Sequence, residues 1–345
     1  MISTVKRWLF GSSDAAEKHP LSVMTPSTKR NFSIRYPAYG QDAPPELRPA
    51  PVTKKVLMIT HNPLLPEQAN QTVRQHFKWN SPSALARAYI EDVRWASYGY
   101  ANYHIVEHQV VDSFPIKRDS FRYTSQSYIQ AWQKRHFHDP DGVDYDRLVD
   151  EFRIVQRIDS GNIDEVWLFG HPYGGYYESI MGGPGAFWCN APALTSTAHA
   201  SRRFVIMGFN FERGVGEMLE DLGHRAESML FEVTKNMPDD NLWRRFLRYD
   251  KTHPNQAECG NVHFAPNSDR DYDWGNPREV LSRCDNWYRY PDLSGLPRRV
   301  DCSEWGNGDI RLHHLWWFRH MPHIIGETDG IANTWWRYIL DPNTV

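Results

Sequence analysis

The chain is poor in cysteine, close to electrically neutral and free of long apolar runs, and each shortage removes a class of protein. Four cysteines in 345 residues, with no CxxC pair, do not describe a disulfide-stapled scaffold. Cys284 and Cys302 leave two readings open, a loop-closing disulfide in an exported protein or reduced thiols in a cytosolic one. A net charge of −3 and a pI near 6.6 give no basic footprint for nucleic acid or an anionic membrane. No apolar run approaches the roughly 20 residues that span a bilayer. At the start of the chain, Trp8, Leu9 and Phe10 are too short a stretch for a signal peptide. The expectation is therefore a cytoplasmic protein, with secretion left open.

Familiar catalytic signatures are also missing. There is no HExxH, no GxSxG, no GxxxxGKS or GxxxxGKT, and no GxGxxG after a strand. This weighs against the commonest metalloprotease, α/β-hydrolase, P-loop and dinucleotide-binding sites.

Aromatic side chains are plentiful: 14 Trp, 17 Tyr and 16 Phe. They serve first as core mass. The alternative is stacking platforms for sugar rings or other flat ligands, because many Trp sit in polar, Gly- and Pro-broken segments. The 23 Pro and 22 Gly predict long ordered loops, where sites usually lie.

Residues 1–53 are rich in Pro, Ser and charge without a sustained period, and read as an extended or partly disordered arm. Residues 54–345 read as a single compound domain, with a core over 54–250 and a loop-rich, Trp- and His-rich cap over 251–345. Continuous or alternating apolar runs predict strands at 56–60, 103–115, 163–170 and 202–210. Helical stripes fall at 81–99, with Ser81 as N-cap and Pro82 as first residue, and near 124–135, 144–161, 214–236 and 240–250. Strands alternating with helices predict an α/β fold, a mostly parallel sheet flanked by helices in three layers.

Four constellations carry candidate chemistry. The first is the helix GVGEMLEDLGHRAESMLFEVTKN, where His224 and Glu227 stand one turn apart and can meet one ion. Stepping about 100° per residue puts Glu217, Glu220, His224 and Glu227 in one arc of about 80°. Met218, Leu222, Ala226, Met229, Leu230 and Val233 lie opposite. The arc is either a solvated helix face or a site closed by the C-terminal residues folding over it. Gly216 and Gly223 each cost the helix about 1 kcal/mol, and favour close approach of something against it.

The second is GHPYGGYYESIMGGPGAF, with His171 at a strand end and Glu178 among glycines as a metal ligand, general base or glycosidic acid, or else exposed in a β-hairpin or turn. The third is CGNVHFAPNSDRDYDWGN. It carries His263 and the alternating Asp269, Asp271 and Asp273, a possible Ca²⁺ loop or an Asx-rich turn. The fourth is DIRLHHLWWFRHMPH, in which His313, Trp317 and His320 share a helical face while the adjacent His313 and His314 cannot point the same way. Cys189, after the Gly-rich segment, is a weak nucleophile candidate.

These readings combine into a metal-dependent hydrolase of an amide, peptide or glycan substrate, using a metal-activated water. His224 and Glu227 are the expected Zn²⁺ ligands, with a third from His171, His263 or His313. Glu178 is the expected base, and Arg213 would hold a substrate carboxylate or an oxyanion. One alternative is a metal-independent glycan-acting enzyme with Glu178 and Glu227 as paired carboxylates. Another is a non-catalytic carbohydrate- or ligand-binding protein. No nucleic-acid or membrane partner is expected, and the oligomeric state is open.

Overall fold

The computed structural model describes residues 32, 34–39 and 43–345, and Phe32–Val345 forms one compact unit. The arm expected over 1–53 lies mostly outside the described residues. Within its described part, Tyr36 stacks on Trp95 and donates a hydrogen bond to Asp92.

In chain order the strands are β1 (Val52–His61), β2 (Leu64–Leu65), β3 (Gln71–Thr72), β4 (Ala101–Val111), β5 (Glu165–Gly170) and β6 (Ser179–Gly182). They continue with β7 (Phe204–Asn210), β8 (Val280–Ser282), β9 (Arg298–Val300), β10 (His323–Thr328) and β11 (Ile331–Thr334). The helices are α1 (Val73–Phe77), α2 (Pro82–Ala96), α3 (Ser125–Lys134), α4 (Tyr145–Glu151) and α5 (Ile154–Asp159). After them come α6 (Val215–Thr234), α7 (Leu242–Phe246), α8 (Ile310–Arg319) and α9 (Trp336–Leu340).

Five strands build the main sheet in the order β4-β1-β5-β7-β6, all parallel except β6. Strands buried on both faces read as unbroken apolar runs, because successive side chains point to opposite layers. In β1, Val56 and Met58 enter one core cluster with α2 and α6, while Leu57 and Ile59 enter another with α4 and α5. In β5, Trp167 and Phe169 take the first side and Val166 and Leu168 the second. The result is the expected α/β architecture of a mostly parallel sheet between two helical layers.

Three elements depart from the sequence pattern. The helix expected over 144–161 is broken into α4 and α5, with Arg153 left-handed at φ 50° between them. The segment at 240–250 is helical only through α7. The short β6 adds an antiparallel edge, with Ser179 opposite Met207 of β7, where the glycine-rich sequence pointed to a local β-hairpin or turn.

Eight of the described tryptophans are core. Trp167, Trp243, Trp287, Trp305, Trp316, Trp317, Trp335 and Trp336 are fully buried and belong to the same cluster as α2 and α6. That removes them as ligand platforms. All four cysteines are free and buried. Among the described residues, no helix is long and apolar enough to cross a membrane.

Helix α6 is enclosed on both sides. Toward the sheet, the buried Arg225 donates to Glu165 Oε2 at 3.0 Å, and Trp167 Nε1 donates to Glu165 Oε1 at 2.7 Å. On the opposite side, a Cβ at Gly216 would stand 2.5 Å from Ile310 Cγ2 and 3.0 Å from the Arg311 backbone nitrogen. One at Gly223 would stand 2.6 Å from Val262 Cγ2. The glycines therefore mark where the C-terminal residues lie against the helix. Arg311 also grips the buried Asp92 of α2 with two hydrogen bonds of 2.7 and 2.8 Å, so α8 has little room to retreat.

This gives a test in which two effects oppose. Gly216→Ala gains about 1 kcal/mol of helix propensity, while overpacking against backbone costs about 1–3 kcal/mol. The expected outcome in urea unfolding is a loss of stability of about 1 kcal/mol. A gain would show that the contact with α8 is soft.

Candidate metal centre

The arc of acidic and imidazole side chains on α6 is covered. Glu220 and Glu227 are about nine-tenths buried, and His224 sits between them. The segment after Gly260 brings His263 across from α6. Its backbone neighbour Val262 donates N–H to Glu227 Oε1 at 3.2 Å. That bond and the Gly223 contact seat the segment on the helix one turn from His224.

The ring nitrogens His224 Nε2 and His263 Nε2 lie 3.1 Å apart, and Glu220 Oε1 lies 3.4 Å from His263 Nε2. One donor atom from each of Glu220, His224 and His263 falls within 4.8 Å of both others. Two ligand atoms about 2.0–2.1 Å from one tetrahedral zinc are separated by about 3.3 Å. The two closest spacings match that edge.

The surroundings of these atoms follow the logic of a ligand set. His224 presents Nε2 to the cluster while Nδ1 contacts Glu227 Oε2 at 3.2 Å. A carboxylate behind the far nitrogen fixes the ring orientation and raises its basicity. Glu178 Oε2 approaches His224 Nε2 to 3.9 Å, and the Asn190 side-chain amide donates to that same oxygen. The Tyr272 hydroxyl is 3.3 Å from His263 Nε2, and Asp271 is 3.6 Å from His263 Nδ1.

The charges are unbalanced in a way a cation would correct. Burial alone would lower the His224 imidazole, but the charges of Glu178, Glu227 and Glu220 outweigh it and raise it to about 9. Burial would likewise raise Glu220, yet the hydrogen bond from His263 and the neighbouring imidazoles hold it well below the usual carboxylate range. Asp221, behind this face, is pushed well up by burial and by Glu178, Glu220 and Glu217. The crowding of carboxylates around one imidazole is an electrostatic cost that a divalent ion relieves.

The structure distributes the expected site residues unevenly. His224, His263 and Glu178 converge, and Glu227 contacts the same histidine from behind, on the Nδ1 side. Glu220, on the same arc, takes the place of the second donor from α6. Arg213 lies at the start of α6, about 16 Å along the axis from His224, paired with Glu212 and Glu217.

His313 stacks on Trp274 at 5.1 Å between ring centroids and is buried, with neither ring nitrogen hydrogen-bonded. Its neighbour His314 faces the cluster more closely in electrostatic terms, with Glu220, His224 and His263 among the charges that act on it. His314 Nδ1 lies 2.6 Å from the Ile310 carbonyl, and its buried Nε2 has no hydrogen-bond partner. A ring anchored by one nitrogen with the other left bare is how a metal-binding histidine is prepared. The sequence pattern named the pair but favoured His313.

Asn276 donates to both Asp269 and Asp273, Asp269 also pairs with Arg278, and Asp271 pairs with His263. Cys189 is fully buried beside Ser179, and burial pushes its thiol up. An open acidic concavity of about 590 Å³, lined by Asp144, Asp146, Arg147, Asp150 and Glu151, shares no residue with the cluster.

The strand-end histidines form a second, aromatic environment. His171 packs against Phe114 and Tyr128, with Nδ1 3.1 Å from the Pro172 carbonyl. His61 Nδ1 lies 2.6 Å from the Tyr176 hydroxyl. Comparison with known protein families, with curated proteins and with solved structures gave no match.

Burial lowers His61 to about 4 and His171 to about 3, and nearby cations add to the fall, Arg122 at the first and Lys117 at the second. Between pH 6.5 and these values the unfolded chain binds protons that the folded chain refuses. Their contribution to stability is therefore complete above pH 6.5 and is lost as pH falls, at up to about 1.4 kcal/mol per pH unit for each ring. Unfolding followed from pH 7 to pH 4 should show this acid limb, and His171→Gln should flatten it. An unchanged slope would place the proton uptake elsewhere.

Proposed function

We propose that the chain is a metal-dependent hydrolase whose cation is held by Glu220, His224 and His263. The observation that carries the reading is the convergence of these three donor atoms from two separate segments, with a carboxylate behind His224. Two imidazoles and one carboxylate suit Zn²⁺ and leave a coordination position open. A cation there supplies Lewis acidity, lowering the pKa of a bound water and polarising a carbonyl or glycosidic oxygen.

The chain's own groups divide the remaining work. Glu178 is half exposed, stands beside His224 Nε2 and is steadied by Asn190, so it can accept the proton of an attacking water. Glu227 holds the His224 ring through Nδ1 and ties it to the Val262 backbone. Burial and the Glu220 and Glu178 charges push the Tyr272 hydroxyl well up, so it stays protonated and able to donate to a developing oxyanion. The substrate class that fits is an amide, a peptide or a glycan fragment.

Metal analysis of the full chain purified without added ions tests the reading. The expected result is zinc, with one equivalent lost in His263→Ala and in Glu220→Gln. Glu178→Gln should keep that equivalent and lose about 10²–10⁴-fold in turnover on a panel of chromogenic amides, peptides and glycosides. Metal content unaffected by His263→Ala would end the proposal, and iron in place of zinc would replace hydrolysis with oxygen chemistry.

The positioning role of Glu227 has its own readout. Glu227→Gln should weaken zinc binding by about 10–100-fold in chelator competition, with the protein still folded by circular dichroism. Unchanged affinity would make Glu227 only a structural tie to the Val262 segment.

A further inference from the structure

A second group of donors lies at the other end of α8. The 3-10 turn Cys284–Arg289 opens with Cys284 and Asp285, and His320 closes the C-terminus of α8. One donor atom from each falls within 4.8 Å of both others. Cys284 Sγ and Asp285 Oδ1 are 3.6 Å apart. A thiolate about 2.3 Å and a carboxylate oxygen about 2.0–2.2 Å from one tetrahedral zinc are separated by about 3.6 Å.

We propose that Cys284, Asp285 and His320 form a second cation site, for zinc or a similarly thiophilic divalent ion, that is structural rather than catalytic. The imidazole supplies the independent observation. His320 Nδ1 is 2.7 Å from the Trp316 carbonyl and 3.2 Å from the Tyr288 hydroxyl. Its Nε2 is buried without a hydrogen-bond partner, and burying an unsatisfied polar atom costs stability unless something answers it. One nitrogen held by a backbone carbonyl, with the other bare, is the arrangement of a ligating histidine.

Asp285 is held in its turn. Arg298 Nε donates to Oδ2 at 2.6 Å and Nη2 to Oδ1 at 2.9 Å, while the same guanidinium pairs with Glu304. Ligating carboxylates are commonly fixed by such outer hydrogen bonds. Asp285 and Glu304 outnumber the one guanidinium, so the local charge is negative even with Cys284 as the thiol, and it suits a divalent ion. Cys284 and His320 are fully enclosed and Asp285 is partly exposed, so a cation here meets solvent only on the Asp285 side. Its role would be to tie the Cys284 turn to the end of α8, the helix whose His314 borders the first cluster.

Cobalt(II) added to the full chain tests the site without reference to activity. Wild type and His263→Ala should both show a near-ultraviolet thiolate-to-cobalt charge-transfer band, and Cys284→Ser, folded by circular dichroism, should lose it. Should Cys284→Ser fail to fold, His320→Gln takes its place, with loss or displacement of the band expected. No band in the wild type, or a band unchanged in the folded variant, overturns the assignment. Because His263→Ala destroys only the first cluster, failure of the hydrolase reading and failure of this one give different results.

Discussion

Much of the molecule depends on two missing side chains. Helix α6 has no Cβ at Gly216 or Gly223, and at those points α8 and the Val262 segment come into contact with it. Remove that closeness and the acidic arc of α6 is an ordinary wet face. Keep it, and Glu220 and Glu227 are buried, a foreign histidine is set against His224, and the tryptophans of the C-terminal region enter the same core as the sheet. The helix-propensity loss of about 1 kcal/mol per glycine is offset by the packing it permits. The Arg225–Glu165 pair fixes the other side of α6, so the helix is located from both directions.

The same closure determines the electrostatics. Carboxylates that would be independent in water become neighbours in a low-dielectric crevice, and each strengthens the hold of His224 on its proton. On the proposed reading, a divalent ion would take the place of that proton on His224 Nε2. The cluster is therefore best understood as a charge deficit with good geometry around it: two facing imidazoles, a carboxylate at ligand spacing, a second carboxylate steering the first imidazole, and a third at the solvent side. The aromatic pocket of His171 and His61 is its opposite. There burial dominates and no acid stands by to restore the charge, so the rings stay neutral.

The layered sheet was legible because doubly buried strands leave continuous apolar runs, the half-exposed β4 an alternation, and amphipathic helices a period of 3.6. β1, β4, β5 and β7 and the long helix α6 fall where those patterns place them. β6 was not legible, since its four residues carry no period beyond the surrounding glycines and its partner β7 lies about 25 residues away. The site was half legible. The arc on α6 and the meaning of its glycines follow from helical geometry alone. Which distant residue would face it does not, because His171, His263 and His313 are equivalent as letters and differ only in where the chain delivers them. Glu220 and Glu227 share the arc and differ in rotamer direction, which the letters do not carry: Glu227 reaches the Nδ1 side of His224, and Glu220 reaches His263.

The order of these pieces along the chain has a consequence for biogenesis. Glu178, Glu220 and His224 emerge from the ribosome with the sheet, while His263 and then His314 follow on segments that must dock against a helix already made. The first cluster cannot exist in a nascent chain that stops short of residue 263, and α8 comes later still. A growing or truncated chain would carry the acids without their histidine partner and so bind cations only weakly. On the proposed reading, loading of a cation therefore waits until the segment that carries His263 has docked on α6.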